Sequence, residues 1–307
     1  MEKLREPKDE VEGKIKKFVR SSFDEKVASK DAVKDFYAEA IRISGIVREI
    51  NRSNKPIKIV DVGGGGGRIG KILDEYVEKG IVKKQFDYIV VDISRAELEK
   101  GSSKFRIVGD MMDIPLRDEQ MDFVFLLNMP SAAGVMKDYI RKLKPVNQAE
   151  AAENREVLKM LEIATGNIDF LNYLEGVRVL KKNGVFVSGL PTHGGLEKSG
   201  LEGRLRLIRD MFMERGVKLG EIPLRRVDYE VLWMDWGVVN LWRDYGLDIK
   251  QPVFYIESLR RTGDIDAWVK ALRENLDFVL NELSKNKRFW EIVKRMEEAN
   301  QLQEHQA

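Results

Sequence analysis

Residues 59–73 read IVDVGGGGGRIGKIL, and this stretch decides the fold. Ile59, Val60 and Val62 are the β-branched residues of a short buried strand, which the pattern places at Ile57–Val62. Ile69, Ile72 and Leu73 then recur at helical spacing and predict a helix over Arg68–Lys79. Between them stand five glycines, Gly63–Gly67. Glycine tolerates positive φ, and its missing side chain lets a ligand approach the backbone closely. A strand, a glycine turn and a helix N-terminus in succession turn backbone N–H groups toward one crevice at the strand's carboxyl end. The bland alternative is a flexible linker, but linkers are not set between a buried strand and an apolar-faced helix.

Working outward, the same alternation repeats. Short apolar runs predict strands at Tyr88–Val91, ending in Asp92, at Phe105–Val108, ending in Gly109-Asp110, and at Phe123–Leu127, ending in Asn128. Ala96–Lys100 offers a helical turn. A helix over Leu171–Lys181, stopped by Lys182-Asn183-Gly184, precedes a strand at Val185–Gly189. Strands without polar alternation, separated by helices, predict an α/β doubly wound, mostly parallel sheet covered on both faces. Two connections exceed simple crossovers. Residues 129–170 hold a helical pattern over Ala149–Ala164, broken by Thr165-Gly166-Asn167, and 190–235 hold a turn at His193-Gly194-Gly195, a helix near 200–215 and a strand at Tyr229–Met234. A helix Gly237–Tyr245, a strand Val253–Glu257, an apolar helical stripe from Ile265 to Leu283 and a short helix Phe289–Met296 follow. Residues 10–50 also read as helical. The expected organisation is an N-terminal helical segment (1–55), a cofactor-binding domain (56–260) with helical lids at 129–170 and 190–235, and C-terminal helices (261–307).

A dinucleotide site competes for the glycine loop. Gly65-x-Gly67-x-x-Gly70 matches G-x-G-x-x-G, and Asp92 follows at about the usual distance of 20 residues. Asp61 argues against it, because a nicotinamide-binding strand runs apolar into its first glycine. Instead IVDVGGGGG resembles the D-x-G-x-G-x-G motif of class I S-adenosylmethionine-dependent methyltransferases, with Asp61, Gly63, Gly65 and Gly67 in register and Gly64 between them. YIVVDIS and IVGDMMDIPL continue the resemblance. It implies that Asp92 accepts hydrogen bonds from the ribose hydroxyls, that Asp110 contacts the adenine amino group, and that Ile93 and Met111 flank the ring. MDFVFLLN and LEGVRVLKKNGVFVSG resemble the fourth and fifth strands of the menaquinone- and ubiquinone-biosynthesis type, with Lys182-Asn183-Gly184 departing from the usual P-G-G turn. The implied fold is a seven-stranded Rossmann-like sheet with a helical cap. Singly, Asp92 or Asp110 would read as a cap or turn residue, and Asp61 as a brace for the loop. Their joint placement on one rim supports the ligand reading.

Composition excludes several other chemistries. The chain of 307 residues is 43% hydrophobic and 34% charged with a formal net charge of +2, which argues against disorder and against a large nucleic-acid footprint. It has no cysteine and two histidines, His193 and His305, which removes thiolate chemistry and leaves no histidine-rich metal centre. No apolar run reaches the roughly 18–20 residues of a membrane span, and MEKLREPKDEVEGK lacks a signal peptide's apolar stretch. A soluble cytoplasmic protein is expected.

If the acceptor needs a general base, His193 in LPTHGG is the histidine placed for it, and an exposed turn residue is the alternative. Asp235, Tyr229 and Glu175 are further polar candidates. Asn128-Met129-Pro130-Ser131 keeps part of the Asn-Pro-Pro-aromatic motif of amino-methyltransferases but lacks its first proline and its stacking aromatic, so Asn128 is expected to line the cofactor's methionine end. Lids suit a shielded small-molecule acceptor, with Phe170, Tyr173, Trp233 and Trp236 as apolar lining or simple packing. Arg141-Lys142-Lys144 and Arg225-Arg226 are anion contacts or solvated charge. The expectation is methyl transfer from S-adenosyl-L-methionine to the oxygen or carbon of a small molecule, leaving S-adenosyl-L-homocysteine, with no metal and a homodimer through the C-terminal helices as an option. A protein or RNA methyltransferase, a nicotinamide-dependent oxidoreductase and a non-catalytic cofactor-binding module are the alternatives.

Overall fold

The computed structural model describes residues 8–14, 34–83, 86–101, 103–127, 139–140, 143, 145–191, 200–233 and 253–304. A single seven-stranded sheet organises them, in the order β3-β2-β1-β4-β5-β7-β6. Its strands are β1 (Ile57–Val62), β2 (Phe86–Asp92), β3 (Phe105–Val108), β4 (Met121–Leu127), β5 (Leu180–Pro191), β6 (Leu224–Trp233) and β7 (Val253–Arg261). Strands β1 to β5 run parallel, whereas β7 lies antiparallel to both β5 and β6. The order reverses between β1 and β4. In open α/β sheets, ligands lodge in the crevice outside the strand ends at such a reversal.

Strand alternation divides the core in two. Val60, Val62, Val91, Val124, Leu126 and Phe186 face one layer. Ile59, Val90, Phe123, Phe125, Val185 and Val187 face the other. The second layer holds α1 (Lys34–Ser44), α2 (Ile46–Arg52) and α3 (Arg68–Glu78). The first is built from α5 (Gln148–Val179), α6 (Gly200–Glu214), α7 (Asp266–Lys285) and α8 (Lys287–Glu304), while the short α4 (Arg95–Glu99) follows β2. Residues 8–14 are helical. Val11 is buried in the first layer, and Lys8–Asp277 and Lys14–Glu297 ion pairs tie the segment to α7 and α8.

The expected break at Thr165-Gly166-Asn167 does not occur, because α5 continues through it for 32 residues. Thr165 Oγ1 donates to the Leu161 carbonyl at 2.6 Å and Asn167 Nδ2 to the Ile163 carbonyl at 2.9 Å. Both side chains thus bond one turn back along the helix instead of drawing the backbone out of it. The stop at Lys182-Asn183-Gly184 is displaced as well. The helix ends at Val179, and the three residues form an irregularity within β5, with Asn183 at φ 67°. The final helix is also longer than the predicted Phe289–Met296.

Continuity in α5 shapes the site. A 32-residue helix is about 48 Å long, whereas seven-residue β4 spans about 23 Å. Since α5 ends beside the amino ends of β4 and β5, its N-terminal half overhangs their carboxyl ends. Asn154 and Glu150 on this overhang hold the buried guanidinium of Arg288 on α8. Residues 148–170 of the 129–170 connection are therefore continuous with the part of α5 that packs on the sheet. Arg141, Lys142, Lys144, the helix Gly237–Tyr245 and residues 192–199 of the second lid lie outside the described residues.

Gly166 is mid-helix with no atom within 4 Å of the position a Cβ would take. Gly166→Ala should therefore raise stability by about 0.5–1 kcal/mol, read as a shift of the urea midpoint at constant m-value.

Candidate functional site

The glycine turn is shaped by what lies beneath it. Asp61, near the end of β1, is 1% exposed, and its Oδ2 accepts the hydroxyl proton of Tyr88 from β2 at 2.6 Å. A Cβ on Gly64 would stand 2.5 Å from Asp61 Cγ, so the turn can pass over the carboxylate only without a side chain there. Gly63, Gly65 and Gly67 have φ of 69°, 49° and 74°, the left-handed conformation that L side chains disfavour. Gly63 N donates to the Val91 carbonyl at 2.7 Å and Gly67 N to that of Gly64 at 2.8 Å. The loop then enters α3, where a Cβ on Gly70 would stand 2.4 Å from Tyr88 Cε1.

Asp92 stands beside this loop at the end of β2. Its Oδ2 accepts from Gly65 N at 2.9 Å and its Oδ1 from Ser94 N at 2.8 Å. Both bonds fix the carboxylate plane, and a carboxylate accepts about four hydrogen bonds, so ligand hydroxyls are compatible with this arrangement. Ser94 caps α4 through Glu97 N. Gly101 beyond α4 meets Gly66 so closely that a Cβ would stand 2.6 Å from the Gly66 carbonyl oxygen.

Asp110 follows β3 at the same rim, and Gly109 N donates to the Asp92 carbonyl at 3.0 Å. Its Oδ1 accepts from Met112 N at 2.9 Å, so the carboxylate braces its own turn. Ile93 and Met111 are half-buried on the same edge. Asp61, Gly63, Gly64, Gly65, Gly67, Asp92, Ile93, Asp110 and Met111 thus come together along β1, β2 and β3. Asn128 and His193, like Asp235 and Trp236, lie outside the described residues. Glu175 is on α5 toward the far end of the sheet and is held by Arg178 at 2.8 Å, so it is no part of this rim.

A second polar centre, of which the sequence pointed to Tyr229 and Arg226 but not to Glu257, lies across the sheet. Glu257 on β7 is 1% exposed and stands opposite Ser188 of β5. Its Oε1 accepts from Leu201 N of α6 at 2.6 Å and from Ser188 Oγ at 3.2 Å. Arg226 donates to the Tyr255 hydroxyl at 2.8 Å and lies over Tyr229, which stacks on Tyr255. The signal that marks Glu257 is a single acid inside the otherwise apolar run VFYIESL. Tyr88 carried no comparable signal, because a strand tyrosine is ordinary. Among the described residues no group of three or more His, Cys, Asp or Glu is placed to hold a metal, and no helix is long and apolar enough to cross a membrane.

Residues 60–146 match the family model described as a methyltransferase domain. Among curated proteins, no sequence matches the chain. Solved structures that resemble it include 1,6-didemethyltoxoflavin-N1-methyltransferase from Burkholderia thailandensis, at 12% identity over 86% of this chain and 93% of that one, with a TM-score of 0.42. The [4+2]-cyclase SpnF is 12% identical over 73% of this chain and 81% of its own, with a TM-score of 0.39. The N-methyltransferase NodS from Bradyrhizobium japonicum is 9% identical over 77% and 100%, with a TM-score of 0.37.

Burial pushes the Asp61 carboxyl from an ordinary 3.8 up to about 7, against the Tyr88 hydrogen bond and with help from the negative charge of Asp92. A raised native pKa means that the folded state holds the proton more tightly than the unfolded chain. Its stabilising contribution is full below about pH 4 and is lost as pH rises through about 7. Asp61→Asn should flatten the decline in the urea midpoint across that window; an unchanged slope would place the titration elsewhere.

Proposed function

We propose that this chain, which carries a methyltransferase domain of the class I S-adenosylmethionine-dependent type, transfers the methyl group of S-adenosyl-L-methionine to a small-molecule acceptor, with oxygen or carbon the preferred acceptor atom. The observation that carries this reading is the joint geometry of the glycine turn and Asp92. Three glycines at positive φ bring the backbone to the rim, and Gly65 N aligns the Asp92 carboxylate beside it. That donor–acceptor set suits a ribose and an amino-acid tail, and the missing side chain of Gly65 leaves ligand space against Asp92.

In this reading Asp92 accepts the ribose hydroxyls, Ile93 and Met111 enclose the adenine, and Asp110 meets its amino group while bracing the turn. Asp61 does not touch the ligand; it supports Gly64 from below. Asn128 is assigned to the methionine end. When bound, the cofactor supplies a methyl group already activated on a sulfonium, so the protein's work is to align the acceptor and exclude water. Phe36 of α1 reaches Gly189 at the carboxyl end of β5, and Tyr37 lies under Arg68 at the start of α3, so this helix closes one side of the crevice. The α5 overhang walls the other face. His193 is assigned the acceptor's proton where the acceptor is a hydroxyl or carbon acid.

Calorimetric titration tests the donor. S-adenosylhomocysteine should bind and NAD should not, and Asp92→Ala should weaken binding by about a hundredfold, the loss expected of two hydrogen bonds to a charged group. Binding of NAD without S-adenosylhomocysteine would falsify the proposal.

A further inference from the structure

The second polar centre holds two buried polar atoms that stand out. Among the described residues, Glu257 Oε2 and Arg204 Nε are fully buried without a hydrogen-bond partner. Such atoms are rare in folded proteins because burial removes water without replacing it. The two act on each other electrostatically but form no ion pair among the described residues. Oε1 of the same carboxylate has a structural task, capping the start of α6 through Leu201 N, which leaves Oε2 unused. Gly200 stands directly against this carboxylate, since a Cβ there would lie 2.3 Å from Oε2. The buried hydroxyl of Tyr173 and the stacked Tyr229–Tyr255 pair lie nearby.

Register relates this centre to the cofactor rim. Val62, the residue before the glycine turn, pairs with Leu126, Leu126 with Ser188, and Ser188 with Glu257. Glu257 therefore lies at the same level as the root of the turn, three strands away, or about 14 Å.

We propose that Glu257 and Arg204 form the acceptor's recognition subsite, taking a ligand edge that presents an N–H donor beside a carbonyl acceptor, as in an amide or a lactam-type heterocycle. Oε2 receives the N–H and Arg204 Nε donates to the carbonyl. Burial raises the Glu257 carboxyl to about 7, opposed by Leu201 N–H, by Ser188 and by the charges of Arg204 and Arg226, which suits a neutral ligand better than a cation. Naming this ligand the methyl acceptor rests on the methyltransferase reading; the hydrogen-bonding pattern does not.

The experiment is ligand-observed NMR on the full chain with 2-pyridone and N-methyl-2-pyridone, alongside S-adenosylhomocysteine titration of the same samples. 2-Pyridone should bind, and its N-methyl analogue should bind about tenfold or more weakly. Glu257→Gln keeps the shape but puts a donor where Oε2 accepts, so it should weaken 2-pyridone by a similar factor. Arg204→Met provides the same test without touching the α6 cap. S-adenosylhomocysteine affinity should stay within about twofold in both variants. The subsite is overturned if 2-pyridone does not bind, if both probes bind equally, or if both variants keep its affinity, in which case an ordered water fills the gap. Failure of S-adenosylhomocysteine to bind the wild type overturns the methyltransferase reading instead, whatever the pyridones do.

Discussion

The hydrogen bond from Tyr88 to Asp61 is the contact on which the glycine turn and its rim depend. It joins β1 to β2 from beneath, and both partners exclude side chains from the backbone above them. Asp61 fills the space under Gly64, and the Tyr88 ring fills the space under Gly70. Turn and helix are therefore set at a fixed height over the sheet. Gly65 N meets Asp92 at 2.9 Å because the loop is held there. A buried carboxylate is unfavourable unless hydrogen-bonded, and here the Tyr88 hydroxyl meets that need while the carboxylate fixes the turn above it.

The rest of the molecule divides the labour between the two faces. On one, α1 brings Phe36 against Gly189 near the end of β5 and Tyr37 under Arg68 at the start of α3. On the other, α5 is too long for the sheet it packs on, and its overhang, buttressed by Arg288, extends the wall beyond the strands. The antiparallel β7 adds what a parallel strand at that edge would not. It returns a buried acid, Glu257, to the level of the glycine turn, while its neighbour β6 brings Arg226 and Tyr229 to the same corner.

Legibility in the sequence followed the range of the interaction concerned. Glycines after a β-branched run, and acids at successive strand ends, are local patterns, and the structure places them on one rim as expected. The break at Thr165-Gly166-Asn167 was misread because composition signals a turn, whereas the side-chain bonds of Thr165 and Asn167 to their own helix overrode it. Tyr88 and Glu257 were illegible for a different reason. Their roles arise from pairing between strands distant in the chain, Ile59 beside Tyr88 and Ser188 beside Glu257, which no window of sequence contains. Gly101 is similar: its need for a hydrogen instead of a methyl exists only where it meets Gly66.

The central claim is that the glycine turn and Asp92 together hold S-adenosylmethionine. A crystal structure with S-adenosylhomocysteine addresses it most directly. The account predicts both ribose hydroxyls on the Asp92 carboxylate, the adenine between Ile93 and Met111, and the Tyr88–Asp61 bond unchanged beneath the turn. Electron density for the ligand away from this rim, or a ribose that makes no hydrogen bond to the Asp92 carboxylate, would contradict it.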